Sequence, residues 1–136
     1  MLATRNRLRT STDFSTTVRS GVRNGRRNVV LYAAAIAADE PSRIGFIVSK
    51  SVGNAVVRNL VKRRLREAGA ASLREHGTGL AIVVRALPAS ASASWDQLLD
   101  DYNAALESTL SRLAGRPQRA AAKGSAGTTQ KGTPRA

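Results

Sequence analysis

The 136-residue sequence predicts a two-layer α/β sandwich. Short apolar stretches bounded by Gly and Pro are typical of strands, and two longer stretches repeat apolar residues at helical spacing. The predicted order of elements is helix–strand–strand–strand–helix–strand–helix. In this order, the strands can form one layer as a sheet, and the helices can form a second layer by burying their apolar stripes against the sheet. The length predicts a single domain with an ordinary core.

The first predicted element is a short helix. Ser11 or Thr12 can cap it by accepting a backbone hydrogen bond, and Gly21 ends it after about Arg19. Residues 21–27 carry three arginines among glycines, which predicts a basic turn with a short strand.

Two further strands are predicted before the middle of the chain. Residues 28–37 place Val30 and Tyr32 on one side and Val29 and Leu31 on the other. The alanines within this stretch also fit a helix, but β-branched neighbours and the ten-residue length favour a strand. A proline turn then leads to a strand at residues 43–49.

The rest of the sequence is organised around residues 47–67, which end a strand, turn at Gly53 and start a helix capped by Asn54. At about 100° per residue, the helix has an apolar face and a polar face. The apolar face carries Val57, Val61, Leu65 and Ala68. The neighbouring face carries Arg58, Asn59, Lys62, Arg63 and Arg66.

The net charge of +13 predicts an anionic partner. Residues 41–66 alone contain seven Lys or Arg and no acid. A charge run on a helix is often only a solvated face. Here Arg58, Lys62 and Arg66 repel one another at i,i+4 spacing, whereas solvated helices usually mix signs. A polyanion removes that repulsion and releases counterions, so the pattern favours nucleic acid.

After the central helix, residues 80–84 predict a buried strand, and Ser94 caps a long amphipathic helix that begins at Trp95. Trp95 is interpreted as a core residue. The composition changes beyond residue 113 to small and polar residues with five cations and no acid. We therefore predict a folded domain at residues 1–113 and a basic disordered tail at residues 114–136.

The sequence predicts no catalytic and no metal-binding residue in this chain. Nine carboxylates are present, but none forms a pair beside a His or Ser that would suggest acid–base or nucleophilic chemistry. His76 is interpreted as a surface loop residue. The turn at residues 51–54 can hold a phosphate but lacks the spacing of a Walker loop. A nuclease that acts alone is therefore not expected, and the chain looks like the partner of a catalyst.

Residues 48–67 resemble the signature of the bacterial ribonuclease P protein component, and Asn6-Arg7-Leu8 resembles the opening of that family. The resemblance covers about residues 5–113. The family usually has Arg-Asn-Arg in the central helix, whereas this chain has Arg58-Asn59-Leu60 and lacks the third basic residue. The resemblance implies the ribonuclease P protein fold, which is similar to domain 2 of ribosomal protein S5. It has a mixed four-stranded sheet, about three helices and a left-handed crossover, against the general rule.

The resemblance also implies a function as the accessory protein subunit of the endoribonuclease that removes the 5′ leader of precursor tRNA. The RNA subunit would perform the hydrolysis with Mg²⁺. The residues implied to bind the catalytic RNA are Lys50, Asn54, Arg58, Asn59, Lys62, Arg63 and Arg66. Those implied to line a cleft for the leader strand are Phe14, Val18 and Tyr32. Val18 replaces an aromatic residue of the family, and from the residues alone both Val18 and Tyr32 also fit a core position.

The alternative function is that of a structural RNA-binding protein of the ribosome, because many such proteins are small, basic and tailed. The predicted partners are the catalytic RNA and precursor tRNA, and no protein partner is predicted. No stretch is long enough for a membrane span, and the first ten residues lack the apolar core of a signal peptide. We therefore expect no membrane partner and a cytoplasmic location.

Overall fold

A computed structural model describes residues 6–8 and 10–115. The predicted order of elements is confirmed, with three helices and four strands. The helices are α1 (Ser11–Ser20), α2 (Ala55–Glu75) and α3 (Trp95–Ala114), and the strands are β1 (Val22–Gly25), β2 (Val29–Ala35), β3 (Arg43–Ile47) and β4 (Leu80–Ala86). Short 3₁₀ turns, Lys50–Val52 and Pro88–Ala91, precede α2 and α3. The predicted tail at residues 114–136 lies outside the described residues, except for Ala114, which ends α3, and Gly115, which follows it.

The four strands form one mixed sheet in the order β1-β2-β4-β3. β1 and β4 each pair with β2 in antiparallel orientation, and β3 pairs with β4 in parallel orientation. Because β3 and β4 are parallel neighbours, the chain must cross over between them, and α2 forms that crossover. The mixed sheet is confirmed, and the hand of the crossover stays a prediction.

The main core lies between one face of the sheet and helices α2 and α3. Leu31, Ile44 and Ile82 project from the sheet and pack with residues such as Leu65 and Leu98 from the helices. Because side chains alternate along a strand, the odd-numbered residues of β2 face this core and its even-numbered residues face the other side. This layer places α2 on the outside of the molecule with its polar face towards solvent.

The helix caps agree with the sequence at two of three positions. Asn54 caps α2, since its side chain accepts a hydrogen bond from Val57 N at 3.0 Å. Ser94 caps α3 in a reciprocal pair with Gln97. The predicted cap of α1 is wrong: Thr10 accepts from Asp13 N at 3.0 Å, so α1 begins one residue earlier.

Asp101 of α3 makes two hydrogen bonds to the residue that precedes β2. Its Oδ2 accepts hydrogen bonds of 2.9 Å from both the backbone N and the side-chain Nδ2 of Asn28. Asn28 is buried at the start of β2, so this carboxylate joins α3 to the sheet.

Within the described residues, no helix combines the length and the apolar character that a membrane span requires.

Candidate nucleic-acid interface

The segment before α2 sets the direction of the basic helix. Val52 is 4% exposed and anchors the 3₁₀ turn in the core. Gly53 follows with φ of 157°, a backbone conformation that L side chains rarely adopt. A Cβ built on Gly53 would also lie 3.1 Å from Val57 Cβ. The turn therefore delivers Asn54 to the capping position and leaves Lys50 and Asn54 exposed at the start of α2.

The predicted polar face of α2 forms a basic ridge, which we define as Arg58, Asn59, Lys62, Arg63 and Arg66. Val61 and Leu65 on the neighbouring apolar face are 1% and 0% exposed, which confirms the predicted core stripe. Asn59, Arg63 and Arg66 are exposed, while Arg58 and Lys62 are half-buried. The helix therefore holds its cations on a surface whose position is fixed by the core beneath it.

No carboxylate neutralises the ridge within the described residues. Arg58 donates from Nε to the carbonyl oxygen of Gly53 at 3.1 Å, and this contact ties the side chain to the turn without cancelling its charge. Lys62 and Arg66 make no hydrogen bond or ion pair in the part of the chain that is described. The positive charge of the ridge is therefore available to an anionic partner.

The residues predicted to line a leader cleft come together on the second face of the sheet. Phe14 and Val18 of α1 pack against the buried group of Val30, Tyr32 and Val83. We call these five residues together the apolar cluster. Tyr32 is 9% exposed and forms part of its floor, while Phe14 and Val18 are half-buried at its edge.

Gly45 determines where the ring of Phe14 lies. A Cβ built on Gly45 would overlap the Phe14 ring and would lie 3.0 Å from Leu8 Cβ. The ring can therefore rest directly on the backbone of β3, which a larger residue would prevent. The sequence analysis did not single out Gly45. The signal was the small residue between Ile44 and Phe46 in an otherwise bulky strand.

A cavity of about 170 Å³ is lined both by Phe14 of the apolar cluster and by residues of the basic ridge. Gly45 of β3 lies in the same lining as Lys62 and Arg66 of α2. Arg7 also lines it, because the segment at residues 6–8 lies along the edge strand β3. We call this space the junction cavity.

The position of Arg7 follows from two hydrogen bonds on either side of it. Leu8 N donates to the carbonyl oxygen of Ile44 at 3.2 Å. Asn6 Nδ2 donates to the carbonyl oxygen of Ser42 at 2.7 Å. Arg7 was not among the predicted site residues, although Asn6-Arg7-Leu8 resembles the opening of a family. Only the pairing with β3 brings it beside Lys62 and Arg66.

Arg85 is a second cation that the sequence analysis missed, because the predicted strand ended at Val84. It lies in β4 opposite Val30 and Ile47, two residues that pack on the second face of the sheet. Residues paired across a sheet project to the same face, so Arg85 shares this face with the apolar cluster. It is exposed, although Val83 and Val84 beside it are buried.

Acid–base groups do not converge near these surfaces. Among residues 6–8 and 10–115, no three or more His, Asp or Glu lie together as metal ligands would. His76 is half-buried at the end of α2, where its backbone N donates to the carbonyl oxygen of Ser72 at 2.8 Å. Burial raises the pKa of Tyr102 to about 12, against the opposing effect of a hydrogen bond with Ser72. Tyr102 lies in the main core, away from the ridge.

Comparison with known proteins identifies the family. The ribonuclease P family model matches residues 2–110. The ribonuclease P protein component of Pseudarthrobacter chlorophenolicus is 95% identical over 136 residues, which cover 100% of each chain. That of an Arthrobacter species is 83% identical over the same coverage. The structure of the Staphylococcus aureus RNase P protein aligns with a TM-score of 0.68 at 27% identity, covering 75% of this chain and 93% of that one.

A match of this extent, together with the mixed sheet, shows the family. The chain belongs to the family of the ribonuclease P protein component, the accessory subunit of the ribonucleoprotein endoribonuclease that processes tRNA 5′ ends.

Proposed function

We propose that the chain binds the catalytic RNA through the basic ridge and holds the 5′ leader of precursor tRNA on the apolar cluster. The observation that carries this proposal is the junction cavity, where Phe14 and Lys62 line a single space. The catalytic RNA on the ridge and the leader strand on the cluster can therefore lie directly beside each other. Lys50 and Asn54 extend the ridge at the start of α2.

The ridge supports RNA binding through charge rather than base recognition. Arg58, Lys62 and Arg66 follow one another at i,i+4, and repulsion between them is relieved when phosphates neutralise them. Each neutralised phosphate also releases counterions, which favours association at low salt. Phosphate contacts fix the register of a protein on RNA but carry no sequence information. The ridge therefore suits a partner that is recognised by shape.

The apolar cluster supports a role in holding a single strand. Phe14 presents a half-buried ring at the edge of the cluster, and an aromatic ring can stack on any base. Val18 offers apolar contact but no ring at the neighbouring position. Arg7 and Arg85 add cations at its margins that can pair with the backbone of the strand. Stacking and backbone charge together tolerate different leader sequences.

The catalytic step is assigned to the RNA subunit with Mg²⁺. The contribution of this chain is then to screen phosphate repulsion where the catalytic RNA and the leader approach each other. Screening lowers the Mg²⁺ concentration at which the ribonucleoprotein can assemble, since cations of the protein replace part of the ionic atmosphere. We infer that this takes place in the cytoplasm.

Reconstitution tests the proposal. The purified chain is added to a bacterial catalytic RNA and a precursor tRNA at low Mg²⁺, and cleavage at the 5′ end is measured. We expect strong stimulation, and a larger gain in affinity for precursor than for mature tRNA, because only the precursor has a leader. Absence of stimulation over a range of protein concentrations would overturn the proposal. Equal gains in affinity for the two tRNAs would show that the leader does not bind the apolar cluster.

A further inference from the structure

A recess lies on the flank of α2 that faces away from the junction cavity. Its lining residues are Leu60, Arg63, Arg64, Glu67 and Trp95, and we call it the Trp95 recess. Its volume is about 330 Å³, within the range of about 300–1,000 Å³ that is typical of small-molecule pockets. Arg63 belongs to both the basic ridge and this recess, so RNA bound on the ridge passes directly beside it.

The wall formed by α3 is held in place by hydrogen bonds. Ser94 Oγ accepts from Gln97 N at 3.1 Å, and Gln97 Oε1 accepts from Ser94 N at 2.9 Å, which fixes the first turn that carries Trp95. Arg64 Nη1 donates to the carbonyl oxygen of Ala93 at 3.2 Å and ties α2 to the same turn. Trp95 is half-buried and packs against the main core. The recess is therefore built from ordered elements and not from a loop.

The chemistry of the lining is that of a nucleobase site. Trp95 offers an aromatic surface, and Leu60, 37% exposed, offers a second apolar contact. Glu67 is the only carboxylate of the lining, and within the described residues it makes no hydrogen bond or ion pair. Unpaired bases are recognised by stacking on aromatic side chains together with hydrogen bonds to their Watson–Crick edges. The two arginines supply charge for the adjoining phosphates.

We propose that the Trp95 recess takes an unpaired guanine from RNA bound on the basic ridge, with Glu67 accepting hydrogen bonds from its N1–H and N2–H groups. Guanine presents these two donors side by side, which matches the two oxygens of a carboxylate. Adenine and cytosine offer one exocyclic amino group each, and uracil offers only its N3–H. The inference rests on the proposed function, because the ridge must carry RNA for the base to reach the recess.

Fluorescence of the full chain tests this inference, because Trp95 is the single tryptophan. The probes are single-stranded hexaribonucleotides of uridine that carry one guanosine, inosine or adenosine in the middle. We expect the guanosine probe to quench Trp95 and to bind about tenfold tighter than the adenosine probe, as expected when one bidentate pair of hydrogen bonds distinguishes the bases. Inosine lacks the N2 amino group and should fall between them.

Glu67→Gln removes both the proposed contact with the base and a negative charge. Comparison with a variant that removes only a negative charge separates the two effects. Loss of the charge alone should raise affinity for all three probes by the same factor, and Glu107→Gln, an exposed position of α3, provides that control. The inference predicts that Glu67→Gln also abolishes the difference between guanosine and adenosine, while Glu107→Gln preserves it. Both positions are exposed, so neither change disturbs the core.

Three results would overturn the inference: equal affinity of the wild-type chain for all probes, a guanosine preference that persists in Glu67→Gln, or a preference without quenching of Trp95. Stimulation of precursor-tRNA cleavage is measured on the same preparations. Normal stimulation of cleavage without a guanosine preference would reject only the guanine site in the Trp95 recess. Lack of stimulation by the wild-type chain removes the proposed function itself.

Discussion

The ring of Phe14 rests on Gly45, so closely that a methyl group on the glycine would overlap it. One residue belongs to α1 and the other to β3, and both line the junction cavity. A glycine in a strand weakens it but permits the close approach of another group. At this position, that approach places an aromatic ring beside the basic ridge.

Gly45→Ala should therefore displace the Phe14 ring and weaken leader binding. We expect the loss of up to one stacked base, about 1–3 kcal/mol, together with destabilisation of about 1–3 kcal/mol from overpacking. Affinity for a single-stranded leader oligonucleotide is measured well below Tm so that both forms are folded. Gly77→Ala is the matched control, because its nearest atom, Leu73 O, would lie 3.4 Å away. Unchanged leader affinity in Gly45→Ala would show that the ring position does not matter.

Lys62→Glu should weaken binding of the catalytic RNA and reduce its salt dependence. Lys62 has no carboxylate partner in the described part of the chain, so its reversal adds repulsion without breaking an internal contact. The slope of log K against log salt should decrease in magnitude by about 0.7–0.9 per lost phosphate contact. Filter binding between low and moderate salt measures it. Arg74→Glu, in the last turn of the same helix, should leave the slope closer to that of the wild type.

Leu60→Arg should raise affinity for the catalytic RNA. The change restores the third basic residue of the family motif, and Leu60 is 37% exposed, so a longer side chain can be accommodated. One new phosphate contact would increase the magnitude of the salt slope by about 0.7–0.9. The same change removes an apolar contact from the Trp95 recess and should reduce any guanosine preference. A higher affinity with an unchanged slope would argue against a new phosphate contact.

Tyr102→Phe should destabilise the fold at neutral pH and relieve its sensitivity to alkali. Tyr102 Oη and Ser72 Oγ lie 2.8 Å apart in the core, and loss of such a hydrogen bond costs about 1 kcal/mol. Ser72 keeps a bond of 3.2 Å to the carbonyl oxygen of Ala68, which limits the cost. Chemical denaturation of both forms at pH 7 measures the difference.

The pH dependence has a defined sign, because burial raises the pKa of Tyr102 from 10.0 to about 12 in the folded state. The stabilising contribution of the neutral phenol is fully present below pH 10 and is lost as the pH rises towards 12. The loss is on the order of 3 kcal/mol, because each pKa unit corresponds to about 1.4 kcal/mol. Tyr102→Phe lacks this loss, so its disadvantage should shrink above pH 10. A constant difference between the two forms from pH 7 to 11 would contradict this account.

Local patterns determined much of the fold. Periodicity identified the apolar stripe of α2, and the side chains of Asn54 and Ser94 identified two helix starts, since a cap depends only on residues within one turn. The cap of α1 was misplaced by one residue because Thr10, Ser11 and Thr12 all have the side chain that a cap requires. Arg85 was missed because a strand boundary depends on the pairing partners Val30 and Ile47.

The sequence by itself determined the order of elements, the basic face of α2 and, by resemblance, the family, because spacing and composition along the chain carry these features. Only the tertiary structure decided that Arg7 and Phe14 lie beside Lys62, and that Glu67 and Trp95 line one recess. These groups are far apart along the chain, and their proximity depends on strand order and on how α2 and α3 pack on the sheet. Such contacts are set by the burial of the whole core, which no local pattern encodes.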